Sequence, residues 1–175
     1  MDAPLGERPT ARVVLLDPAG RVLLMRGRLP DAPDGPSFWY TVGGGAEIGE
    51  TLAEAAAREI VEETGLLDAK LGPVLWTDEV VLADVSGVRR LFKQSYFLAR
   101  TAGGALSRLG WQDYEHRLTD DVRWWTLGEL RLSRETIYPI GFAVLLADVL
   151  AGRMSSEPLV VATPDGPVSP TPRPA

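Results

Sequence analysis

Short apolar runs broken by proline- and glycine-bearing turns dominate the first hundred positions of this 175-residue chain. Residues 12–16 and 21–25 are β-rich and are joined by Asp17, Pro18, Ala19 and Gly20, so they predict a hairpin. From 27 to 37 three prolines and two glycines leave few apolar positions, which predicts a surface loop able to overhang a site. A short strand at 38–42 then runs straight into Gly43, Gly44 and Gly45. Two longer β-rich runs, 74–85 and 88–99, flank Ser86-Gly87 and predict a second hairpin. A turn-rich connection at 103–110 precedes a strand at 122–126, and an apolar helix is expected over about 135–150 with Pro139 in its first turn. Beyond Gly152 six prolines and no strong period predict a mobile tail or an arm on a partner subunit. One domain over 1–153 and a proline-rich tail over 154–175 follow, with no internal repeat. The mixed order of strands and helices limits the fold class to α/β or α+β.

The segment after the glycines has a different period. Thr51 and Glu54 form a Thr-x-x-Glu capping box, an alanine-rich stretch follows, and Gly65 stands where a C-terminal cap belongs. At 100° per residue, Ala53, Ala56, Ala57, Ile60 and Thr64 are expected on one side and Glu59, Glu62 and Glu63 on a neighbouring face. Like charges at i,i+4, as at Glu59 and Glu63, cost an isolated helix roughly 0.2–0.5 kcal/mol, so this clustering asks for a compensating cation. Hard oxygen ligands suit Mg²⁺ or Mn²⁺. Clustered glutamates alone are also what a solvated, strongly helical face looks like.

Composition narrows the function classes. The content is ordinary for a globular domain, at 45% hydrophobic and 24% charged. The absence of cysteine excludes disulfides, thiolate metal sites and a cysteine nucleophile. A net charge of −6 argues against stable nucleic-acid binding, and an anionic substrate would need its own cation bridge. No apolar run reaches the roughly 20 residues of a membrane span and the N-terminus shows no export segment, so a cytoplasmic protein is expected.

Spacing makes the decisive addition. Gly44, five residues, Glu50, seven residues, then Arg58-Glu59-Ile60-Val61-Glu62-Glu63-Thr64-Gly65-Leu66 resembles the Nudix box of the MutT-like hydrolases at every defined position. The resemblance covers 23 of 175 residues. It implies an α/β/α sandwich with a mixed, mostly antiparallel sheet and the box as a loop-helix-loop. It also implies a Mg²⁺- or Mn²⁺-dependent pyrophosphohydrolase that cleaves a nucleoside diphosphate linked to another group, such as a nucleoside triphosphate or ADP-ribose. Glu59, Glu62 and Glu63 match the metal-binding carboxylates, with Glu62 and Glu63 the foremost ligands. Arg58 matches a residue that orients the carboxylates by ion pairing, and Glu50 one that braces the loop. Gly43, Gly44 and Gly45 let the backbone approach metal or phosphate closely. Val42 stands where many members have proline before the double glycine.

An additional carboxylate often comes from a late loop in this family. Asp113, Glu115, Asp120 and Asp121 precede the strand with Arg123, Trp124 and Trp125, and Asp121 is the first choice for extra ligand or general base, ahead of Glu115. His116, the one histidine, lies in the same stretch and is expected on the surface. Trp39 and Trp111, beside loops, are the tryptophans to consider for base stacking, with core packing as the alternative. Arg89, Arg90 and Lys93 could meet phosphate or guard a strand edge. Two other functions share the fold: isoprenyl-diphosphate isomerase, which relies on a cysteine this chain lacks, and a noncatalytic nucleotide-sensing module. A nucleotide-like small molecule is the expected partner, and the resemblance leaves a homodimer open.

Overall fold

The computed structural model describes residues 5–162. Its elements run in the order β1 (Glu7–Leu16), β2 (Val22–Gly27), β3 (Phe38–Thr41), α1 (Leu52–Thr64), β4 (Lys70–Ala83), β5 (Arg89–Arg100), α2 (Asp113–Leu118), β6 (Thr119–Trp125), α3 (Leu127–Leu132), α4 (Phe142–Leu150) and β7 (Leu159–Val160). One seven-stranded sheet has neighbours in the order β3-β2-β1-β5-β4-β7, with β6 also paired to β2. Only β1 with β5 and β4 with β7 are parallel, so the sheet is mixed and mostly antiparallel, within an α+β fold.

Side chains alternate across a strand, and β1 shows what each face of the sheet meets. Ala11, Val13 and Leu15 pack with Ala55, Ala56 and Ile60 of α1. Val14 and Leu16 point the other way and join Leu130 of α3 with Phe142 and Leu146 of α4. Helices thus cover both faces of a near-continuous apolar strand. Aromatic rings fill the second layer: Trp76 meets Phe142 edge-on at 5.9 Å between ring centres, and Trp39 meets Trp125 at 5.0 Å.

Both expected hairpins form, β1 with β2 and β4 with β5. Three expectations need correction. The final helix begins at Phe142 rather than near 135, because Trp39 donates its backbone amide to Thr136 and accepts one from Tyr138, holding that stretch extended beside β3. Pro139 consequently lies before the helix and not in its first turn. The chain beyond 153 is also not all tail: β7 pairs with β4, and Val161 is buried in the core. The remainder of the expected tail, 163–175, lies outside the described residues. Among the described residues no helix is long and apolar enough to cross a membrane.

Candidate active site

Helix α1 starts as its sequence dictates. The Thr51 hydroxyl accepts from the Glu54 amide at 3.2 Å and the Glu54 carboxylate accepts from the Thr51 amide at 2.8 Å, while Gly65 closes the other end at φ 73°. The buried side is Ala55, Ala56, Glu59, Ile60, Glu63 and Thr64. This differs from the expected stripe, since Ala53 and Ala57 are exposed. Alanines on every side of a helix carry little directional signal, and the inward face here is completed by two glutamates. Glu62 remains half-buried on the flank.

The glycine loop presses directly on those carboxylates. Gly43 has φ 137° and donates its amide to Glu63 Oε2 at 2.7 Å; a Cβ there would meet the Ala11 carbonyl oxygen at 2.1 Å. A Cβ on Gly44 would lie 2.2 Å from Glu59 Oε1. Only glycine permits this approach.

Arg58 ties helix to loop. Its Nε and Nη2 donate to the two Glu50 oxygens at 2.8 and 2.9 Å, its Nη1 to Glu59 Oε1 at 2.8 Å and Glu62 Oε2 at 3.0 Å, and its Nη2 also to the Gly45 carbonyl at 3.1 Å. The Glu50 carboxylate is held down to about 2, first by these Arg58 hydrogen bonds and then by the Glu47 amide. The fork geometry is specific to guanidinium. Arg58→Lys should therefore lower activity roughly 10- to 100-fold, the scale of lost outer support at metal sites, and raise the Mg²⁺ concentration for half-maximal rate. Unchanged Mg²⁺ dependence in that variant would remove the bracing role.

The late carboxylate that joins the box is Glu115, on α2. Oxygens of Glu59, Glu63 and Glu115 all lie within 4.8 Å of one another. Glu115 is buried, accepts the Gln112 amide at 2.6 Å and the Tyr114 hydroxyl at 3.4 Å, and comes from a short helix, not the loop expected for it. Asp121 stands apart on β6, opposite Arg26, and its carboxylate accepts the Val122 amide at 2.8 Å. Burial raises all three clustered carboxyls above their ordinary value; Glu63 is raised furthest, by burial and then by the Glu59 charge. Glu63 is only 5% exposed; Arg58 contacts Glu59 but not Glu63, and Arg12 offsets the Glu63 charge only in part. An all-oxygen set with surplus negative charge fits a hard divalent cation, although Glu62, expected as a ligand, lies outside the trio.

The cluster lies in the wall of a cavity of about 670 Å³ that also reaches Arg8, Arg12, Tyr40 and Tyr138. Neither Arg8 nor Arg12 is marked as a site residue by the sequence pattern. The available signal is two arginines four positions apart in the polar lead into an apolar strand. Trp39 and Trp111 are core residues rather than stacking platforms: Trp39 is buried and donates to Glu135, and the Trp111 indole donates to the Glu63 carbonyl at 2.8 Å. His116 is exposed with its ring against Trp111. Arg90 pairs with Asp84 at 2.6 Å and Lys93 with Glu7 at 2.7 Å.

A mixed sheet between helices thus carries helix-borne carboxylates beneath a glycine loop. The NUDIX domain family model matches residues 6–145, and the chain belongs to the Nudix hydrolases. It is 36% identical over 152 residues to an RNA pyrophosphohydrolase of Caulobacter vibrioides, covering 82% of this chain and 84% of that one. Solved structures with the same fold include the MutT protein from Methanosarcina mazei Go1, at TM-score 0.62 and 17% identity over 88% of this chain and all of that one. An ADP-ribose pyrophosphatase from Streptococcus suis superposes at TM-score 0.54 and 18% identity, covering 87% of this chain and 98% of that one.

Proposed function

We propose that this protein is a divalent-metal-dependent pyrophosphohydrolase acting on a nucleoside diphosphate linked to another group, a class that includes nucleoside triphosphates, triphosphate ends and ADP-ribose. The observation that carries this reading is the meeting of Glu59, Glu63 and Glu115 in one cavity with Arg8 and Arg12. Glu59 and Glu63 would hold Mg²⁺ or Mn²⁺, with Glu115 beside them to serve the water. When bound, such a cation spreads the charge of the pyrophosphate and acidifies a water.

The chain's own groups supply the rest. Arg58 fixes Glu59 against the loop, and the Gly43 amide fixes Glu63. Hydrolysis joins a water oxygen to one phosphorus, breaks the bridging P–O bond and leaves its electron pair on the departing phosphate. Glu115 takes the water proton: it comes from a different element than α1, and burial raises its affinity for protons. The chemistry requires a pyrophosphate linkage, and a nucleotide-like molecule is the partner proposed to carry it.

The test is a substrate panel of nucleoside triphosphates, ADP-ribose and 5′-triphosphorylated RNA with Mg²⁺ or Mn²⁺, repeated with a chelator and in ¹⁸O-labelled water. Chelator-sensitive turnover with label in a phosphate-bearing product is expected. Label found only on a nonphosphate product would refute attack at phosphorus, and binding without turnover across the panel would make the chain a sensor.

A further inference from the structure

The face of β1 that packs on α3 and α4 at one end opens to the cavity at the other. Val14 and Leu16 are core, whereas Arg8, Thr10 and Arg12, on the same side of the strand, line the cavity. On β5 the pattern repeats, with Leu98 in the core and Gln94 in the cavity wall. A buried polar chain crosses the ladder there. Arg12 Nε donates to Gln94 Oε1 at 2.6 Å, Gln94 Nε2 donates to Asp78 Oδ1 at 2.8 Å, and the Tyr96 hydroxyl donates to Asp78 Oδ2 at 3.1 Å.

We infer that Arg12 binds the phosphate chain of the substrate and that Asp78, acting through Gln94, is the positioning residue that holds the Arg12 guanidinium for it. This rests on the pyrophosphohydrolase reading for the identity of the anion. Arg12 differs from Arg58 in its partners. Its two acceptors are neutral, the Gln94 amide oxygen and the Gly43 carbonyl at 3.0 Å, and it makes no ion pair among the described residues. A guanidinium has five N–H donors, so most of its capacity is uncommitted beside a cavity. The Glu63 charge lies near Arg12, but its hydrogen-bond acceptors are neutral, so donors on the cavity side are open to an anion.

Asp78 and Gln94 are 4% and 6% exposed and stand opposite each other in the β4–β5 ladder. An ionised carboxylate only accepts, so it turns the Gln94 NH₂ towards itself and the amide oxygen towards Arg12. Tyr96 remains a donor because burial, and then the Asp78 charge, raise its phenol. Gly43 joins the two halves of the site, since its amide serves Glu63 and its carbonyl serves Arg12. A diphosphate engaged at the carboxylate cluster and at Arg12 would therefore contact two groups that are both anchored on Gly43.

The experiment uses the full chain with Mg²⁺ and two readouts: calorimetric binding of imidodiphosphate, a non-hydrolysable pyrophosphate, and the KM and kcat of whichever panel substrate turns over. Arg12→Lys and Asp78→Asn should each weaken imidodiphosphate binding about tenfold and raise KM similarly, with kcat within about twofold. In the Arg12→Lys background, Asp78→Asn should add nothing, because its effect runs through the guanidinium. Should Asp78→Asn fail to fold, Gln94→Met takes its place with the same expected result. Unchanged binding in Arg12→Lys, or fully additive losses in the double variant, overturns the inference. Binding is measured without turnover, so a protein that hydrolyses nothing in the panel sinks the proposed function while the Arg12 result is still obtained.

Discussion

Glu63→Gln should lose more than about a hundredfold in turnover, exceeding the 10- to 100-fold typical of outer partners at metal sites, while making the metal-free protein more resistant to heat. Glutamine keeps the size and an oxygen for the Gly43 amide but removes a charge from a side chain that is 5% exposed. The stability change follows from proton linkage. The Glu63 carboxyl is raised well above its ordinary 4.5 in the folded state, so its stabilising contribution is full below 4.5 and is lost as pH rises through the folded value. Glu59 and Glu115 shift in the same direction and act in the same window. Glu50, held to about 2, has the opposite sign and acts lower: its contribution is present above 4.5 and is lost as pH falls towards 2. Melting of the metal-free wild type should therefore move upward on acidification from neutral pH towards 4.5. Saturating Mg²⁺ should abolish that trend, and Glu63→Gln should flatten it and gain at neutral pH, each kcal/mol appearing as roughly 2–4 °C for a chain of this size. A variant that retains activity, or a neutral-pH melting point below wild type without metal, would contradict the account.

The second large effect separates two late carboxylates. Glu115→Gln should depress kcat by roughly 10²- to 10⁴-fold, the usual worth of a positioned acid or base, with a smaller change in KM. Asp121→Asn should stay close to wild type, because its carboxylate sits on β6 and serves the adjacent Val122 amide. Steady-state kinetics of the two single variants decide the matter. Equal losses would return Asp121 to the site and remove the reason for preferring Glu115.

That reversal shows where the sequence stopped being legible. The box could be read because its spacing is local: a capping box, one helical turn of carboxylates and a terminal glycine all fall within 23 residues. Its ion pairs follow from that spacing, and Arg58 meets both Glu59 and Glu62. Glu115 reaches Glu63 across 51 intervening residues, and the family's usual place for a late carboxylate favours Asp121 instead. Six-residue helices such as α2 and α3 are too short for apolar periodicity to reveal. The apolar pattern of the final helix runs back through Ile137 and Ile140 and so predicts too early a start, whereas pairing with Trp39 holds residues 136–138 extended. Trp111 could not be assigned from composition, since its indole finds the Glu63 carbonyl 48 positions away. Arg12 was visible merely as the polar start of a strand; its partners lie on β5 and in the glycine loop.

β7 is a two-residue strand on the outer edge of β4, followed by the buried Val161, and residues 151–160 leading through it are all exposed. A protease that cut within this connection would detach the piece covering Leu75 and Trp76 while leaving the carboxylates, the glycine loop and Arg12 covalently intact. Nicked protein would then display tryptophan-lined apolar surface next to an unpaired β4 edge, the combination through which sheets recruit one another. Storage losses in such a preparation would take the form of aggregation, arising on the opposite border of the sheet from β3 and the glycine loop.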